Sequence, residues 1–187
     1  EYHIDQSLLK MNTDSLDLIQ FHWWDYNNLS YLDAITNLSK LQDIGKIKNI
    51  GLTNFDTKRV QIMTEKGIHL VSNQVQYSIL DQRPEKLMVP YCQKHEIQLI
   101  TYGTLLGGFL SEKYLNALEP TRAELTTSSL QKYHNMINAW GGWKLFQELL
   151  STLSAIAKKH DSSIANVSTK FILDKPAVAG VIIGARL

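Results

Sequence analysis

Cysteine is nearly missing from this sequence: Cys92 is the only one in 187 residues. A single thiol excludes an internal disulfide framework and fits a reducing compartment, so the chain reads as cytoplasmic. An excess of charge of either sign is also missing. The 19 Lys and Arg against 18 Asp and Glu leave a formal net charge of +1, which gives no electrostatic footprint for nucleic acid or an anionic membrane. Long hydrophobic runs are lacking too. The longest stretch of apolar residues and Gly, Ala177 to Ala185, is far short of the ~18 residues that span a bilayer. Four Pro and 10 Gly are too few for a low-complexity or disordered chain. The opening Glu1-Tyr2-His3 is neither a signal peptide nor a natural start, and it predicts a chain truncated at its N-terminus.

What the sequence does have is 44% apolar residues in an alternating pattern, enough for one sizeable core. Ile4, Leu8 and Met11 predict a helix over 3–12. Residues 14–23 start polar and turn into a short apolar run, the mark of a buried strand. Leu32, Ile35, Leu38, Leu41 and Ile44 lie on one face of a helix that Gly45 ends. A strand over 47–55 follows, then a helix over 57–66 with Asp56 as its N-cap. A third strand is predicted over 69–77. Pro84 opens a helix with Leu87, Met88 and Tyr91 inward, and Pro90 inside that pattern means that the helix is kinked there or begins later. Residues 97–102 give a fourth strand, and 107–143 read as long and irregular. Leu145, Leu149, Leu153 and Ile156 mark another helix. Ile164, Val167, Phe171 and Ile172 mark the next, and a fifth strand covers 178–183. This order implies parallel βαβ units in a single α/β domain over 1–187. Periodicity leaves open a doubly wound sheet or part of a (β/α)8 barrel, of which a full copy needs ~250 residues.

In such folds ligands bind beyond the carboxyl ends of the strands. The residues there are His22, Thr53-Asn54, Asn73-Gln74, Tyr102-Gly103-Thr104 and Gly184-Ala185-Arg186. Five successive polar exits favour a shared ligand site over five unrelated turns. Several chemistries find no support. There is no G-x-S-x-G elbow, no P-loop Lys-Ser/Thr after Gly103–Gly108, and no G-x-G-x-x-G. The six His offer no H-x-x-x-H pair, so no metal site is predicted. Trp23 and Trp24 directly follow His22 and suit a pocket wall.

Five motifs in order resemble the aldo-keto reductases: Asp17–Trp23, Gly45–Phe55, Asn73–Ser78, Tyr102–Gly108 and Val181–Arg186. Two segments, Gln74–Ser78 and Tyr102–Ser111, are most similar to a branch that includes a radial-spoke protein of cilia. The resemblance implies a (β/α)8 barrel binding NADP(H) without a Rossmann motif. On it the chain corresponds to strands four to eight, with the first three strands absent. It implies hydride transfer between NADP(H) and a small carbonyl or alcohol substrate, with His22 orienting the carbonyl oxygen. The family's acid Tyr, with its Lys and Asp, would fall in the missing strands, leaving the fragment inactive. Trp23 would wall the substrate site. Thr53, Asn54 and Gln74 would hold the nicotinamide carboxamide, with Tyr102 stacked on the ring. Gly103, Thr104, Leu105 and Leu106 would wrap the pyrophosphate, with Lys113 reaching a phosphate. Gly184 and Arg186 would hold the adenosine phosphate end. The rival expectation is a non-catalytic scaffold that keeps the barrel and the cofactor.

Overall fold

The computed structural model describes residues 1–184. Helices and strands alternate as α1 (Tyr2–Met11), β1 (Ile19–His22), α2 (Tyr31–Asp43), β2 (Ile50–Thr53), α3 (Thr57–Glu65), β3 (Ser72–Gln76), α4 (Arg83–Lys86), α5 (Met88–Lys94), β4 (Gln98–Tyr102), α6 (Ser128–Trp140), α7 (Gly142–Lys159), α8 (Ile164–Leu173) and β5 (Val178–Ile182). The five strands form one sheet in the order β1-β2-β3-β4-β5. The α/β class predicted from the alternation is therefore the one observed. By contact density the chain divides into two compact units, residues 1–75 with 85–100, and 76–84 with 101 onward.

In the first unit β1 pairs with β2 and β2 with β3, all parallel. The register aligns Phe21 with Leu52 and Leu52 with Asn73. Side chains alternate across a sheet, so these share one face. That face carries the apolar contacts, with Ile50 and Leu52 at 0% exposure and Phe21 stacked on Phe55 at 5.6 Å. The opposite face is polar: Gln20, Gly51 and Ser72 form one row, and His22, Thr53 and Gln74 the row nearer the carboxyl ends. Gly51 is required there by close approach. A Cβ on it would meet Ser72 Oγ at 2.4 Å and Gln20 Oε1 at 2.7 Å.

Asp56 caps α3 as expected, accepting the Arg59 N–H at 2.9 Å. After Pro84, the later helix start is the one of the two expectations that is observed. The segment forms a short α4, a break at Leu87 (φ −134°), then α5. Pro90 lies in the first turn of α5, where its missing N–H costs no helical bond. Leu87 is 64% exposed, not inward, while Met88, Val89 and Cys92 are buried. Burial pushes the Cys92 thiol up to about 12, so it is a packing group and not a nucleophile.

The second unit holds a core of Leu106, Phe109, Leu110, Tyr133, Ile137, Phe146, Leu150 and Ile164. Much of it comes from the stretch read as irregular. Residues 128–140 form α6, with the Thr127 side chain accepting the Leu130 N–H as its N-cap. Leu130, Tyr133 and Ile137 supply the inward face. In α7 the buried stripe is Phe146, Leu150, Leu153 and Ala157, while Leu145 and Ile156 are exposed. Leu153 is inward as predicted and Leu149 packs partly against the core, while Phe146 and Ala157 take the places expected of Leu145 and Ile156. In α8, Ile172 is buried but Phe171 is exposed, with the Lys175 ammonium 4.3 Å from its ring centre.

Candidate functional site

In the first unit the carboxyl ends of β1, β2 and β3 bring together three of the sequence-predicted residues. His22 is the register partner of Thr53, and Thr53 of Gln74. Asn54 follows in a left-handed conformation (φ 62°). Its N–H donates to the Gln74 carbonyl at 2.9 Å, and its own carbonyl accepts the Tyr26 hydroxyl at 2.9 Å. That bond pins the loop after β1 to the end of β2. Arg59 adds a second hold, its guanidinium 4.3 Å from the centre of the Tyr26 ring. Trp23 is half-buried, and its indole N–H donates to the carbonyls of Asp25 and Asn28 at 3.0 and 3.2 Å. The ring is therefore held within its own loop. Trp24 is 89% exposed, and its ring sits 4.6 Å from that of His22.

In the second unit a cavity of about 600 Å³ opens beyond β4 and β5. Tyr102, Gly103, Thr104, Leu105, Lys113 and Gly184 line it, all singled out from the sequence. Leu106 is fully buried in the core beneath and does not line it. Arg186 lies outside the described residues.

The loop after β4 is curled by a run of left-handed residues: Gly103 (φ 69°), Leu106 (52°), Gly107 (65°) and Gly108 (102°). Such a run turns successive N–H groups toward a concave side. Leu106, as a buried non-glycine residue in this conformation, marks strain held in place by packing. Thr104 is anchored by its hydroxyl, which donates to the Tyr77 carbonyl at 3.0 Å. The Leu106 and Gly108 N–H groups bond back to the carbonyls of Gly103 and Leu105. Among the described residues, the N–H groups of Thr104, Leu105 and Gly107 have no acceptor within the protein. The Lys113 side chain is exposed at the rim, its ammonium 5.2 Å from the Tyr114 ring centre. Backbone donors, glycines and a lysine around one cavity suit a bound anion, and the Tyr102 and Tyr133 rings suit a planar group.

Of the lining residues that sequence reasoning missed, Ser129, Leu130 and Tyr133 come from α6, and Tyr114, Ile182 and Ile183 complete the wall. The Tyr133 hydroxyl sits over Gly103, where an added Cβ would meet it at 2.4 Å. The signal that could have found α6 was the Leu130, Tyr133, Ile137 spacing behind Thr127.

A polar cluster stands beside this wall. Arg83 donates twice to Asp81, from Nε to Oδ1 and from Nη2 to Oδ2, both at 2.7 Å. Gln76 Nε2 also donates to Asp81 Oδ2, at 2.6 Å. Burial alone would raise the Asp81 carboxyl, but the hydrogen bonds from Arg83 and Gln76 outweigh it and hold the group below the ordinary carboxylate range. A carboxyl lower in the folded state stabilises the fold above its unfolded pKa of about 3.9 and loses that contribution as pH falls through the folded value. Urea melts should therefore show the wild-type advantage over Asp81→Asn at neutral pH shrinking as pH falls below about 4. A gap that stays constant into acid would contradict this. Among the described residues, no group of His, Cys, Asp and Glu is arranged to hold a metal ion.

Comparisons with known proteins bear on the whole chain. The model of the Aldo/keto reductase family matches residues 1–187. Flagellar radial spoke protein 5 of Chlamydomonas reinhardtii is 29% identical over 179 residues, covering 86% of this chain and 34% of that protein. Among solved structures, a glycerol dehydrogenase from Gluconobacter oxydans superposes with a TM-score of 0.78 at 23% identity, over 96% of this chain and 53% of the other. An aldo-keto reductase from Klebsiella pneumoniae, solved in complex with NADPH, superposes with a TM-score of 0.66 at 20% identity, over 98% and 53%. The chain thus spans about half or less of the length of these proteins.

Proposed function

The chain belongs to the aldo/keto reductase family, and on that premise we propose that it is the cofactor-holding part of an oxidoreductase that passes a hydride between NADP(H) and a small carbonyl or alcohol substrate. The observation that carries this reading is the glycine-lined cavity, with its open backbone N–H groups, Lys113 and Tyr102. NADPH, when bound, supplies the hydride. The protein's work is to bind, orient and exclude water. In this reading the N–H groups of Thr104, Leu105 and Gly107 hold the pyrophosphate, which Gly103 lets approach the backbone. Lys113 adds charge at a phosphate, and Gly184 and Arg186 serve the adenosine end. Tyr102 gives the nicotinamide a flat surface. Thr53, Asn54 and Gln74 supply donors and acceptors for its carboxamide. His22 donates to the carbonyl oxygen as charge grows there, with Trp23 on the substrate side.

In this reading the chain is one piece of a (β/α)8 barrel, strands four to eight, in a single reductase-like domain, which the likeness to aldo/keto reductases supports. The family's acid Tyr and its Lys and Asp then come from sequence outside residues 1–187. The Klebsiella neighbour's complex supports NADP(H) as the cofactor. Among the described residues no helix is long and apolar enough to cross a membrane. The cytoplasmic setting in this reading rests on the single thiol, Cys92, which suits a reducing compartment. A second reading, a cofactor-binding scaffold without turnover, is favoured by the likeness to the radial spoke protein.

NADPH oxidation by the full-length protein with 4-nitrobenzaldehyde separates the two. A reductase should turn over, and His22→Ala should slow it roughly 100-fold or more. Residues 1–187 alone should match the buffer rate. NADPH binding with no turnover in the full-length protein would select the scaffold. Turnover by 1–187 alone would refute the assignment of the acid to missing sequence.

A further inference from the structure

Lys132 stands on the exposed side of α6 and has no carboxylate within ion-pair distance among the described residues. Its ammonium lies 4.8 Å from the Tyr133 ring centre and 5.5 Å from that of Tyr102. Both rings line the cavity. The other charges nearby are Asp81 and Arg83, which are bound to each other in a two-pronged pair. Their charges largely cancel at a distance, so Lys132 leaves the cluster with one net positive charge. Partial burial pushes the Lys132 ammonium below the ordinary lysine range, Asp81 draws it back up, and Arg83 pushes it down again.

From this geometry we infer that Lys132 sets the cavity's preference for a neutral over a cationic ring stacked on Tyr102, and so for reduced over oxidised nicotinamide. The inference rests on the NADP(H) reading above and gives it a selectivity. A ring stacked on Tyr102 at about 3.5 Å lies within roughly 9 Å of the ammonium. The oxidised nicotinamide carries a positive charge and the reduced one does not. The phosphates, ribose and adenine are the same in both, so their contacts cancel in the ratio of the two affinities. What is left is the repulsion between Lys132 and the oxidised ring. In a half-solvated setting that repulsion is worth roughly a two- to fivefold difference in Kd at 9 Å. Screening by salt should shrink it. Lys132 does not touch the reacting atoms. It acts on the stacked ring by its charge, across the Tyr102 face.

The test is calorimetric titration of the full-length protein with NADPH and with NADP⁺, in wild type, Lys132→Met and Lys132→Arg. The ratio of Kd for NADP⁺ to Kd for NADPH should fall roughly two- to fivefold in Lys132→Met and be kept in Lys132→Arg. A role in packing alone would weaken both nucleotides together and leave the ratio unchanged. Lys132→Met binding both nucleotides with the wild-type ratio would overturn the inference while leaving the cofactor reading intact. If wild type binds neither nucleotide, the cofactor reading itself fails and this inference falls with it.

Discussion

Gly103→Ala is expected to destabilise the protein by about 1–3 kcal/mol and to weaken NADPH binding roughly tenfold or more. Two independent penalties combine at this residue. Its φ of 69° costs an L-residue about 1–2 kcal/mol. The added methyl would also stand 2.4 Å from the Tyr133 hydroxyl and 3.1 Å from Gln76 Cγ, so the ring must move. Tyr133 belongs to the core of the second unit as well as to the cavity wall. It cannot yield without disturbing both. Tyr133→Phe removes the nearest atom, so the double variant should recover part of the loss, which a thermodynamic cycle would read as coupling. A Gly103→Ala protein that melts and binds like wild type would show that the loop is free to open away from α6.

Phe109→Ala should cost about 3–5 kcal/mol, enough to leave the protein near the edge of stability. Phe109 is fully buried and follows Gly108 directly, so it ties the cavity loop to the core. Its ring meets Tyr114 at 4.6 Å, Trp143 at 6.1 Å and Phe146 at 6.4 Å. The last two are edge-on contacts of the favourable kind. Alanine would leave a cavity lined by rings too large to collapse into it. Phe109→Leu fills most of that volume and should cost clearly less. Chemical denaturation of the three proteins measures this, and equal midpoints for Phe109→Ala and wild type would contradict the packing account.

The sequence made one level of this structure easy to read. Short stretches in which Val, Ile, Leu and aromatic residues recur, each with a polar exit, placed the strands and pointed to His22, Thr53, Gln74 and Tyr102 at their ends. Strand ends are legible because burial fixes the period and the exit needs residues that pair with water or ligand. The second level was not legible. Helix α6 opens with polar residues, and only Leu130, Tyr133 and Ile137 mark its inward face, so it read as loop. Its part in the cavity was therefore unseen. The Asp81–Arg83 pair was missed for a different reason. Two residues apart in a turn, such a pair has no periodic signature, and only the coordinates show both prongs and Gln76 as a third donor. At Pro90 the proline rule left a kink or a later start open, and the break at Leu87 realises the later start, with Pro90 in the first turn of α5.

In the reading proposed above, the curled loop from Gly103 to Gly108 holds the pyrophosphate of NADP(H) on its backbone. Amide hydrogen exchange on the full-length protein, with and without saturating NADPH, tests it most directly. The N–H groups of Thr104, Leu105 and Gly107, which have no acceptor within the protein among the described residues, should exchange fast when free and slow by roughly tenfold or more when each gains a charge-assisted hydrogen bond. Those of Leu106 and Gly108, already bonded to Gly103 and Leu105, should change far less. NADPH binding that leaves Thr104, Leu105 and Gly107 exchanging at their free rates would contradict the claim and put the pyrophosphate elsewhere.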